Sequence, residues 1–162
     1  MTKDCPKNCK LCCNKNFDLE KLPIVQHFDY DEIIITGGEP FAEKTEKITE
    51  SLINYLKFVE VNPNRKVFAY TALPFAVVGY HDILDGMTLS LHTKSDVNEF
   101  IWANMMLLSR EDNLKSLRLK LFEGVTIPSD IDLSLWEVTK DVKWIENCPL
   151  PSDEIFMRLK NI

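Results

Sequence analysis

The chain has no apolar run approaching the roughly 18 residues that a membrane-spanning helix needs. Its opening residues, Met1 to Cys5, include no apolar stretch of the kind that a secretion signal requires. Positive charge is not in excess: 25 acidic residues stand against 19 basic ones, for a net charge of −6. That balance argues against a broad electrostatic grip on nucleic acid. There is no internal repeat and no low-complexity segment. The cysteines form no second cluster, since four of the five fall between Cys5 and Cys13. The expectation is a cytoplasmic protein with no membrane partner and no nucleic-acid partner.

What is there suits one globular domain over residues 1–162. Hydrophobic residues make up 45% of the chain, enough for a core without disulfide staples. In a reducing compartment, clustered cysteines read as a metal site before they read as disulfides.

Strand-like and helix-like segments alternate. A short helix broken by Pro23 is expected over Phe17–Gln26. A buried β-branched strand follows at Glu32–Thr36. Ile48, Leu52, Ile53, Leu56 and Val59 recur at helical spacing within Ala42–Val59. The charges from Glu43 to Glu50 form that helix's solvated face. Further strands are expected at Lys66–Thr71, Met87–His92, Leu117–Phe122 and Leu133–Val138. Phe75–Ile83 reads as a short helix or turn. Thr93–Ser109 reads as a helix capped by Ser95 or Asp96, and Ser152–Leu159 as a short amphipathic segment. Such alternation predicts an α/β fold with a mostly parallel sheet, whose ligands gather at the C-terminal ends of the strands. Gly37, Thr71, His92 and Phe122 stand at those ends.

Two motifs carry chemistry. Cys5, Cys9 and Cys12 have C-x3-C-x2-C spacing, which lets one loop wrap a single metal centre. Soft thiolates suit iron–sulfur or zinc. For zinc, Cys13 or Cys148 would be the fourth ligand. Three thiolates hold three irons of a four-iron cluster and leave the fourth iron open. The second motif is Gly37-Gly38-Glu39-Pro40, at the end of the apolar run Ile33-Ile34-Ile35. Its glycines let backbone approach a ligand closely. Glu39 offers a carboxylate to an ammonium group, and Pro40 suits the first turn of a helix. The plainer reading is a strand-to-helix turn.

In this order and separation, the motifs resemble the radical S-adenosylmethionine (SAM) enzymes. The resemblance covers most of the chain as topology and the two motifs as specific sequence. It implies a [4Fe-4S] cluster on Cys5, Cys9 and Cys12, with SAM bound through its amino and carboxylate groups at the open iron. It also implies that Gly37, Gly38, Glu39 and Pro40 border the SAM amine. Reductive cleavage would then give a 5'-deoxyadenosyl radical that abstracts hydrogen from a substrate. The electron would come from a reductant such as flavodoxin or ferredoxin. Where the family pattern has an aromatic residue before the third cysteine, this chain has Leu11. Only four residues precede Cys5, and five strands are expected instead of six. The expected fold is therefore a partial (β/α) barrel lacking the first strand.

Thr71 and Ser90 are further SAM-binding candidates by resemblance, since similar enzymes place polar residues there. Arg118 and Lys120 share one face of a strand. If that face is interior, either pairs with the SAM carboxylate or an anionic substrate; otherwise both face water. His92 reads as a strand-end polar residue, and no catalytic residue is assigned. Cys148 reads as a buried thiol or a hydrogen-atom donor. Trp102, Trp136 and Trp144 are expected to pack. The run Cys12-Cys13-Asn14-Lys15 resembles the activating proteins of anaerobic ribonucleotide reductase, whose substrate is a protein glycine. Peptide or nucleoside modification is the broader expectation. The rivals are a non-catalytic zinc or iron–sulfur interaction module and a degenerate protein that binds SAM without cleaving it.

Overall fold

The computed structural model describes residues 5–9, 12, 18–60, 62–110, 115–145 and 152–159. Cys13, Cys148, Leu11 and Asn14, all invoked above, lie outside the described residues. Five strands form one sheet: β1 (Glu32–Ile35), β2 (Lys66–Thr71), β3 (Gly86–Leu91), β4 (Ser116–Phe122) and β5 (Glu137–Val142). They pair in sequential order, every neighbour parallel. The described helices are α1 (Glu46–Asn54), α2 (Pro74–Tyr80) and α3 (Lys94–Leu108).

Sequential order has a consequence. Parallel strands joined by crossovers of one hand put every connection on the same side of the sheet. The register agrees. Val67, Ala69, Met87, Leu89, Leu117 and Leu119 are partners or near-partners across β2 to β4, and all are buried in one core. Ile53 and Leu56 from the first helical segment and Phe100, Ala103 and Leu107 from α3 close that core. The alternate residues point to the other face, where Tyr70, Ser90 and Lys120 are half-buried, Arg118 is exposed and Thr88 is buried.

Gly86 shows how tightly the strands meet. A Cβ there would lie 2.4 Å from the Ser116 carbonyl oxygen and 3.1 Å from Phe68, so only glycine fits where β3 begins.

Several sequence expectations need correction. Of the helix expected over Phe17–Gln26, whose first residue lies outside the described residues, the described part holds one 3-10 turn, Leu19–Lys21. Pro23 and Ile24 then run extended: Val25 N–H donates to the Arg158 carbonyl, and Arg158 N–H donates to the Pro23 carbonyl. The tail segment Ser152–Leu159 is thus not helical but a strap tied to these residues. The helix expected from Ala42 starts at Glu46, because the Thr45 hydroxyl bonds the Glu39 carbonyl at 2.7 Å and holds the preceding turn. It ends in a π-helical turn, Tyr55–Val59. The cap of α3 is Thr93, with Asp96 three residues on completing a capping box.

The fifth strand begins at Glu137, four residues later than expected. Leu133 and Leu135 pack against the core instead, in a crossover that carries no helix. The buried Asn104 of α3 anchors that crossover, donating to the Asp132 carbonyl and accepting from the Trp136 indole, both at 2.8 Å. Trp136 packs as expected, whereas Trp102 is 64% exposed. Among the described residues no helix is long and apolar enough to cross a membrane.

Candidate functional site

The site is built at the C-terminal rim of the sheet. Gly37 (φ 91°) and Gly38 (φ 59°) both lie in the left-handed region, which an L side chain adopts only with strain. They turn the chain sharply after β1 and swing Glu39 back over the sheet. Glu39 is almost wholly buried. Its Oε1 accepts from the Thr71 hydroxyl at 2.7 Å and from Phe41 N–H at 3.2 Å, and its Oε2 accepts from Ala72 N–H at 2.7 Å. The carboxylate therefore braces the end of β1 against the end of β2. Pro40 is buried too, and its carbonyl accepts the Thr49 hydroxyl at 2.6 Å.

A carboxylate offers about four acceptor positions, and protein donors fill three of those on Glu39. Burial pushes its carboxyl up, against the bonds from Ala72, Thr71 and Phe41 and the nearby charge of Lys7, which only partly offset it. A buried carboxylate with one acceptor position free is suited to a cationic donor.

The cysteine loop lies against this brace. Cys5, Cys9 and Cys12 are all free thiols of intermediate exposure. The turn closes with Cys12 N–H donating to the Cys9 carbonyl at 3.3 Å. Burial raises the Cys5 thiol, as do the charges of Glu39 and Cys12. Burial likewise raises Cys9, as do Cys5 and Cys12. Soft thiolates in this spacing are chemically suited to an iron–sulfur or zinc centre. No group of three or more His, Cys, Asp or Glu side chains among the described residues is arranged to hold a single metal ion.

The loop has two contacts at the start of α3. Lys7 Nζ reaches Asp96 Oδ1 at 2.8 Å, and Cys9 Sγ lies 3.5 Å from His92 Nδ1. Sequence reasoning undervalued His92 and Asp96 and passed over Lys7. The one local signal was the Thr93-to-Asp96 spacing of a capping box. His92 sits at the end of β3 with Phe122 edge-on to its ring at 4.5 Å and Trp144 at 5.0 Å. Burial lowers its pKa, with Asp96 opposing and Lys7 assisting.

The remaining candidates separate. Thr71 belongs to the site through Glu39. Ser90 stands beside Lys120 on the face away from the helices. Lys120 Nζ lies 5.6 Å from the centre of the Tyr70 ring. Arg118 pairs with Glu137 at 3.4 Å, and both side chains are largely exposed. Among the described residues, neither base makes a hydrogen bond or ion pair with the cysteine loop. A cleft of about 470 Å³ runs on the outer side of β1, between Phe28, Ile33 and Leu52 and the strap residues Ile155 and Met157. It touches Gly37 and Pro40 but none of the three cysteines. In comparisons with known proteins, no family model, no curated protein and no solved structure matches this chain.

Proposed function

We propose that this chain is a minimal radical SAM enzyme built on a partial (β/α) barrel, with Cys5, Cys9 and Cys12 holding a [4Fe-4S] cluster. The observation that carries the reading is the meeting of two motifs separated by more than twenty residues. The three-thiol loop is tied to the strand ends by Lys7–Asp96 at 2.8 Å and Cys9–His92 at 3.5 Å, and the charge of its Lys7 acts on the buried Glu39 of the second motif. When bound, the cluster and SAM would together supply reductive carbon–sulfur cleavage and hydrogen-atom abstraction from the substrate.

The chain's own residues have simpler tasks. Cys5, Cys9 and Cys12 would hold the cluster through their thiolates. Gly37 and Gly38 expose backbone to the SAM amine, and Glu39 offers its remaining acceptor position to the ammonium. Pro40 and Thr71 keep Glu39 in place. Ser90, Arg118 and Lys120 line the face away from the helices, where a carboxylate or other anion would be received. A flavodoxin or ferredoxin in the cytoplasm would supply the electron. The substrate class is a protein glycine, a peptide or a nucleoside.

Replacing each cysteine in turn tests the ligand set. Alanine at Cys5, Cys9 or Cys12 is expected to abolish the intact cluster after anaerobic reconstitution, and alanine at Cys13 is expected to leave it. Four irons and four sulfides retained in Cys9→Ala would refute the assignment. One zinc per chain in the native protein would favour a structural metal module. An intact cluster with no 5'-deoxyadenosine formed would favour a degenerate SAM-binding protein.

A further inference from the structure

Lys7, Cys9, His92 and Asp96 form a group that neither motif explains. Asp96 is almost wholly buried, and both its oxygens are engaged. Oδ1 receives Lys7 at 2.8 Å. Oδ2 receives the backbone N–H of His92 at 2.8 Å and of Thr93 at 2.9 Å. One carboxylate thus joins the cysteine loop, the end of β3 and the first turn of α3. Turning it to release Lys7 would break the helix cap. The Lys7 side chain is itself only 18% exposed, so this pair is screened far less than a surface pair.

We propose that the β3–α3 junction is a built seat for the cysteine loop and that Asp96 is its positioning residue. Lys7 stands between Cys5 and Cys9, so pinning it restrains two of the three thiols at once. Asp96 also fixes the backbone of His92, whose ring meets Cys9 at 3.5 Å. A loop ordered before metal arrives loses less entropy on binding it. That the loop carries a cluster rests on the preceding proposal; the seat itself does not.

The His92 contact has a further consequence once Cys9 ligates a metal. A thiolate has no proton to give, so the 3.5 Å contact must then be donated by His92, from its Nδ1–H tautomer. Hydrogen bonds to ligating sulfurs are among the features that set cluster potentials. With a cluster bound, this one would draw charge from Cys9 and raise the potential. Phe122 and Trp144 hold the imidazole in that orientation.

The seat is tested first in metal-free, reduced protein, by the rate at which iodoacetamide alkylates each cysteine, read by mass spectrometry. Lys7→Met and Asp96→Asn are each expected to speed alkylation of Cys5 and Cys9 by about tenfold, the scale of a charge-assisted hydrogen bond. The double variant should be no faster than the faster single one, and Lys7→Arg should restore the native rate. Asp96→Asn keeps an acceptor for the helix cap, and Lys7 lies outside every helix and strand, so folding is not at stake in both arms. Native rates in both single variants would overturn the seat. So would a fast Asp96→Asn beside a native Lys7→Met, which would make Asp96 a helix cap only. In iron-loaded protein, His92→Phe should lower the midpoint potential of the cluster, and an unchanged potential would overturn the bond to sulfur. If the protein takes up no iron, the radical SAM reading fails while the alkylation rates still decide the seat.

Discussion

The two faces of the sheet are made from the same strands yet follow opposite rules. On the face toward the helices, Val67, Ala69, Leu89, Leu91 and Leu119 are at most marginally exposed and join one continuous core. On the other face, the alternate residues Tyr70, Ser90, Arg118 and Lys120 keep polar groups at the surface. A parallel sheet ordinarily has both faces covered. Here the described helices serve only one. Stability therefore belongs to the packed face, and the other face is the more polar and more exposed of the two. The difference teaches where substitutions should act on folding and where on ligands.

The packed face should be the most sensitive. Leu119→Ala removes a fully buried side chain at the centre of the sheet. It should cost about 2–5 kcal/mol in urea unfolding. A loss below that range would mean the core collapses around the gap, which would weaken the contrast between faces.

Gly86→Ala comes next. The added methyl meets backbone at 2.4 Å, and β3 cannot move without disturbing β2 and β4. The expected cost is about 1–3 kcal/mol, read from the same unfolding curves.

A smaller effect is tied to pH. Burial would raise Asp85, but Lys57 at 2.5 Å and the Val67 N–H at 2.7 Å outweigh it, and its pKa is lowered. A depressed folded pKa means that the native state binds fewer protons than the unfolded one. The stabilisation is therefore complete above the unfolded value of about 3.9. It is lost as pH falls through the lower folded value. Lys57→Met should flatten the fall in urea midpoint between neutral pH and that acid range. An equally steep fall would place the acid-sensitive group elsewhere.

The open face should matter least to folding. The Arg118–Glu137 pair is largely exposed, so Arg118→Ala should change stability by no more than about 1 kcal/mol. If it faces the ligand, SAM or substrate affinity should fall while the unfolding curve stays put. A large stability loss would show that this face is structural as well.

Much of this arrangement was legible in the sequence. β1, β2, β3 and β4 were found within a residue at each end because β-branched or alternating apolar runs stop at glycine or polar residues. β5 was misplaced because Leu133 and Leu135 have the two-residue spacing of a strand, while they serve a helix-free crossover packed on the core just before β5 begins. The strap was read as amphipathic and is extended, since its partner lies far away at Ile24. The two motifs were legible because thiol spacing and a Gly-Gly turn are local features. The seat was not. Lys7 and Asp96 are 89 positions apart, and His92 looks like an ordinary strand-end residue until the fold brings Cys9 beside it.

The central claim is that the rim of this sheet holds a cluster with one iron open to SAM. Its most direct test is the electron paramagnetic resonance spectrum of anaerobically reconstituted, reduced protein, recorded with and without SAM. The account predicts a reduced [4Fe-4S] signal that changes when SAM is added. A cluster signal indifferent to SAM, or no cluster signal at all, would contradict it.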